Sequence, residues 1–283
     1  MEAIVKITFL LVLYFLICLT SQLALAGTQL LMSNQQASDA ATTTEIAIQN
    51  GKLRLEDSDS NKRDRQLMIY DSATDSMMVI NHNEKSYTII DANTMNQIQQ
   101  EMAQVKKQME EQLANLPPEQ RAMVEKMMQG KMMQGKMPMM SDPQAESKPK
   151  PKAQVNSTGK STSISGFDCE FVEVTTSGEK KREMCVTDWG NLDNDKEVAA
   201  AFKGMIGFFD RMFQSMRKIA PMMEEMPFSE IEQIGGFPVQ IKEFSGEQVK
   251  AVSKLLSVKS HDYSAQDFEP PKDYRKKELM SVR

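Results

Sequence analysis

Histidine is nearly missing from this sequence of 283 residues, which has only His82 and His261. Tryptophan occurs once, aromatic residues make up 6% and cysteine occurs three times. So little imidazole excludes the common His-based zinc sites and leaves little material for general acid–base chemistry, which needs a base held against a second group. His82 falls in a turn and His261 at a strand end. Neither sits in a nucleophile elbow, a zinc-binding helix or a kinase-type motif. A glycine-rich phosphate loop is absent too: Gly130 and Gly135 belong to a methionine repeat with no strand before it. Carboxylates are numerous but scattered. With no residues composing a catalytic site, the expectation is a non-enzymatic protein without a cofactor. The formal charge of −5 also excludes a general nucleic-acid binder, which carries a basic surface.

Beyond the N-terminus no stretch approaches the roughly 20 apolar residues that a membrane helix needs. At the N-terminus, Lys6 precedes an apolar run from Ile7 to Leu19, and Ala24-Leu25-Ala26 supplies a small-x-small site. The run is short for a membrane span and suits a secretory signal, so residues 1–26 are expected to be removed and the mature chain to be periplasmic or secreted. Ile17 before Cys18 departs from a lipobox, which argues against lipidation. Removal of Cys18 leaves Cys169 and Cys185, an even pair in an oxidising compartment. Two strands, Asp168–Val174 and Arg182–Asp188, flank the turn Thr175–Glu179. In a hairpin centred on Ser177 the two cysteines fall directly opposite each other, which predicts a disulfide worth roughly 3 kcal/mol for a loop of about 15 residues.

Residues 27–42 are small and polar and read as a flexible leader. From Thr43 the pattern is of short strands. Ile46 and Ile48 alternate, then Leu53 and Leu55, then Leu67 and Ile69. Asn50-Gly51 is a strong tight-hairpin signal. Met77–Ile80 and Tyr87–Ile90 flank a second turn, Asn81–Glu84. The prediction is an antiparallel meander with one apolar face.

What the sequence has in excess is methionine, 24 residues. Residues 92–140 read as a Met-rich helical insertion. Met95, Ile98, Met102, Val105, Met109 and Leu116 form one stripe, Pro117-Pro118 stops it, and a second helix follows from Glu119. Met127, Met128, Met132, Met133, Met137, Met139 and Met140 then fall in a short tandem repeat. Residues 141–160 read as a Pro/Lys/Ser-rich linker. After the cysteine hairpin, Asp193 is expected to cap a helix running to about Glu225, with a stripe of Phe202, Met205, Phe209, Met212 and Met216. Val239 and Ile241 begin a return to strands. Gln248–Ser260 fits strand or helix and is assigned to strand from the turn before it. Lys272–Arg283 is a basic stretch, and residues 278–283 are the tail beyond the domain.

Methionine side chains are unbranched and adapt to varied apolar shapes. Met95, Met102, Met109, Phe202, Met205, Phe209, Met212 and Met216 are therefore the candidates for lining an apolar ligand site, or simply a core. Thioethers also suit Cu(I), so the seven repeat methionines are the candidate ligands of an alternative protein that binds copper or absorbs oxidants.

Four short motifs carry a resemblance: Lys85-Ser86-Tyr87, Trp189-Gly190, Gly236-Phe237-Pro238-Val239 and the closing Phe268-x-Pro-Pro-x-x-Tyr274. In this order they resemble a bacterial envelope domain of unknown function, similar to the LolA-like carriers of lipoproteins and lipids. The resemblance covers Thr43–Asp91 and Ser161–Lys277. It implies an α+β fold over residues 43–277, with a curved antiparallel sheet forming an open half-barrel and helices on its concave face. The function it implies is binding or carrying an apolar envelope component, lipid or lipoprotein-like.

Overall fold

The computed structural model of the chain describes residues 26–37, 39–57, 66–117, 120, 153–217 and 233–279. Its strands form one sheet. They are β1 (Gly27–Gln36), β2 (Thr42–Gln49), β3 (Lys52–Asp57), β4 (Gln66–Asp71), β5 (Ser76–Asn81), β6 (Ser86–Ile90), β7 (Gln154–Ile164), β8 (Phe167–Thr176), β9 (Glu179–Thr187), β10 (Phe237–Ser245), β11 (Gln248–His261) and β12 (Arg275–Lys276). The twelve strands run in the order β12-β6-β5-β4-β3-β2-β1-β11-β10-β9-β8-β7. Every pair is antiparallel except the two-residue pairing of β12 with β6. Two long helices accompany the sheet, α1 (Ala92–Ala114) and α2 (Asp195–Arg217). None of the described helices is long and apolar enough to cross a membrane.

The meander β2–β6 follows the sequence pattern closely. Asn50 and Gly51 have φ of 53° and 73°, the left-handed pair that a type I′ turn needs. The register lines up Ile48, Leu53, Tyr70, Met77 and Ile90 as one row across five strands. Ile48 and Leu53 are fully buried there, and each such aliphatic side chain contributes about 1.5–3 kcal/mol. The alternate residues Ala47, Leu67, Ile69 and Ile80 make a smaller cluster on the other face. The meander thus has two apolar faces, where the sequence pattern predicted one. Tyr263, Phe268 and Tyr274, from the segment after β11, close the second face. That segment crosses the outside of the meander and ends as β12 beside β6.

Three boundaries depart from expectation. Residues 27–36 are a central strand and not a leader: β1 lies between β2 and β11 and is hydrogen-bonded on both sides. Its few large side chains concealed it, although Leu30 is fully buried. The 141–160 linker gives way to β7 by Gln154. That strand is a sheet edge, mostly exposed, so Ser and Thr serve where an inner strand would need aliphatics. The third departure concerns the cysteine hairpin. Ser177 and Gly178, at φ 53° and 78°, make a two-residue turn, and an irregularity between Val174 and Thr175 moves the register by one. Cys185 therefore faces Phe171, and the disulfide to Cys169 runs diagonally between same-face positions, with the Cα atoms 5.3 Å apart. Helix α2 is described to Arg217; its expected extension to Glu225, the second helix from Glu119 and the methionine repeat lie outside the described residues. Gln248–His261 is strand, as assigned.

Candidate functional site

Helix α2 has apolar residues at helical spacing and presents them to the sheet. Val198, Ala201, Met205 and Phe208 are its buried residues, and they share a cluster with Leu30, Ile48, Leu53, Tyr70 and Met77 of the strands. Phe202, Phe209 and Met212 are half-buried against the same cluster. The expected stripe was therefore turned by about one residue: its centre runs through Val198, Ala201, Met205 and Phe208. Phe208, absent from the expected stripe, packs its ring 5.8 Å from Tyr70. Its signal was present as the position three residues after Met205. Arg211 and Tyr70 both reach Asp75 in the β4–β5 turn, at 2.6 Å and 3.3 Å, which fixes the middle of α2 over the meander. At the other end, the Gly51 N–H donates to Glu197 at 3.3 Å.

Helix α1 begins where Asp91 accepts hydrogen bonds from the Thr94 N–H at 2.7 Å and its hydroxyl at 2.9 Å. These bonds, the backbone one foremost, hold the Asp91 carboxyl below the usual carboxylate range. Met95 is buried and Met102 half-buried. Gln99 donates to the Ser215 carbonyl at 3.3 Å, joining α1 to the last turns of α2, where Met216 is half-buried. Val105 is exposed and the Met109 side chain lies outside the described residues. Methionines from both sides belong to this apolar cluster: Met32, Met68 and Met77 from the strands, Met205 and Met212 from α2.

The four sequence motifs come together in two places. Trp189, Phe202 and Phe237 form a triangle of rings with centroids 5.3–6.3 Å apart. Gly236 makes this possible, because a Cβ there would stand 2.3 Å from the Thr187 carbonyl oxygen. Tyr87, Phe268 and Tyr274 share the outer cluster, and Lys85 accepts a backbone hydrogen bond from Arg275. Both places hold the fold together. The histidines are part of the same framework: His82 Nδ1 lies 2.8 Å from the Tyr274 hydroxyl and the His261 ring packs on Tyr263. No group of three or more His, Cys, Asp or Glu among the described residues is arranged to hold a metal ion. The candidate Cu(I) ligands Met127, Met128, Met132, Met133, Met137, Met139 and Met140 lie outside the described residues.

A family model, the domain of unknown function DUF4412, matches residues 94–274. No curated protein matches the chain. Among solved structures, an uncharacterized conserved protein from Thermus thermophilus is similar at 8% identity and a TM-score of 0.41, over 94% of this chain and 97% of that one. The Pseudomonas aeruginosa MucA/MucB complex is similar at 9% identity and a TM-score of 0.36 over 89% of this chain, which spans 58% of the matched chain. A structure of MucB gives 9% identity, a TM-score of 0.34, 89% of this chain and 59% of that one. Scores below 0.5 describe a loose likeness of chain path and carry nothing about ligands or partners.

Proposed function

Because the chain belongs to the DUF4412 family, a domain without an assigned role, we propose from its own geometry that it is an exported, non-enzymatic protein that binds an apolar component of the bacterial envelope. The observation that carries this reading is the methionine-bearing cluster between the sheet and α2, to which both sides contribute through Met32, Met68, Met77, Met205 and Met212. Unbranched thioether chains repack around a guest more readily than branched ones, so such a cluster can part and re-form. A LolA-like half-barrel, as the motifs resemble, would place this cluster in the hollow of the sheet with the helices as its lid. The Cys169–Cys185 disulfide suits the oxidising space outside the cytoplasm.

The test is direct. Protein purified from its native envelope is extracted and examined by mass spectrometry, and a fluorescent fatty-acid probe is titrated into stripped protein. Co-purified acyl lipid and saturable, lipid-displaceable probe uptake are expected. A Met205→Lys variant that remains folded should lose most of the uptake. Clean extracts together with no probe uptake would overturn the reading.

A further inference from the structure

We propose that the outer face of the meander carries a separate binding site, for a single aliphatic chain ending in a cationic group. A hollow of about 310 Å³ opens there between the strands and the segment that crosses them. Its floor is a register row of three strands, Ile69 beside Met78 beside Ile89. Its wall is Phe268, 4% exposed and held edge-on by the Tyr263 ring at 5.7 Å. The rim is polar, made by Thr74, Ser76, Lys52, Asp71 and Asp91.

The shape and the charge of the hollow point to the same ligand class. Small-molecule sites span about 300–1,000 Å³, so this hollow lies at the small end and fits one unbranched chain, not a two-chain lipid. The apolar floor takes the chain. The rim carries two carboxylates against one ammonium. Lys52 stands 3.3 Å from Asp71, which also accepts the Ala73 N–H at 2.9 Å, so that pair is largely answered within the protein. Asp91 is hydrogen-bonded to Thr94 by its backbone and hydroxyl, and Lys276 acts on it from the crossing segment as the weakest of several influences. With the Lys52–Asp71 pair answering itself, the Asp91 carboxylate is the charge left to meet a ligand head, and it favours an ammonium over a carboxylate. The floor residues belong to the face away from the methionine-bearing cluster, so this site stands or falls independently of the function proposed above.

The experiment uses the protein labelled with 13C at the methionine methyl groups and titrated with n-octylammonium, n-octanoate and n-octanol. Octylammonium should move the Met78 methyl resonance saturably while Met205 stays still, and should bind about tenfold more tightly than either other probe. Asp91→Asn keeps a residue that caps helices well and should weaken octylammonium binding about tenfold. Met78→Trp should fill the hollow and abolish it. The proposal is overturned if octanoate or octanol binds as tightly, if Asp91→Asn leaves the affinity unchanged, or if only Met205 responds.

Discussion

Among the described glycines, Gly236 has the least room for a side chain. Its neighbours on the missing side-chain direction are the Thr187 carbonyl oxygen and, at 2.7 Å, Val186 Cγ1, and a backbone oxygen cannot swing aside. Gly236→Ala should therefore cost about 1–3 kcal/mol, the range for overpacking. Thermal melts of the two proteins would measure it, and an unchanged midpoint would show that β10 can shift. Tyr263 gives a second prediction at this scale. Burial, followed by the Glu45 charge, pushes its phenol up to about 12. An acid whose folded value is raised is stable as the neutral form, so its contribution is complete below about pH 10 and is lost as the pH climbs toward 12. Tyr263→Phe should flatten that alkaline loss of stability; a parallel pH curve for the variant would refute the assignment.

At the scale of elements, α1 depends on its cap. The Asp91 carboxylate is held low by the Thr94 hydrogen bonds, so its contribution is present above about pH 4 and disappears as acid protonates it. Asp91→Ala should cost about 1 kcal/mol at neutral pH and less near pH 2, with Asp91→Asn close to wild type. Urea titrations at the two pH values would read this. Which elements were legible in the sequence follows from how each signals itself. The meander announced itself through Asn50-Gly51 and alternating aliphatics, and both helices through three-and-four spacing. β1 and β7 did not. β1 is stabilised by hydrogen bonds on both edges with few large side chains, and β7 is a polar edge; neither writes a strong apolar alternation. The rotation of α2 escaped for a different reason. Phe208 and Phe209 are both aromatic, and spacing alone does not decide which one leads. The outer hollow was invisible because its wall, Phe268, is distant in sequence from the floor residues, and only the fold brings them together.

For the whole molecule, the disulfide and the first strand are the two structural dependencies. The Cys169–Cys185 link closes a separation of 16 residues, so its reduction should cost about 3 kcal/mol. Peptide mapping without reductant should recover both cysteines in one linked fragment, and reductant should lower the melting temperature by roughly 6–12 °C. Separate fragments would contradict the pairing. Deleting residues 27–36 should do more damage than this. β1 joins the meander to the strands β7–β11, so the full protein should melt in one calorimetric transition and the shortened protein should not. A sharp melt in that variant would mean the two halves of the sheet fold apart.

The position of β1 also governs timing. Of the described strands it leaves the ribosome first, yet one of its two neighbours, β11, ends at His261. The sheet cannot be completed until nearly the whole described chain is available, and pairings between such distant segments form slowly. Until then β1 has one open edge, and the sheet stays incomplete. The same delay exposes that edge to β-pairing with other copies, so crowded synthesis should favour aggregation over native closure.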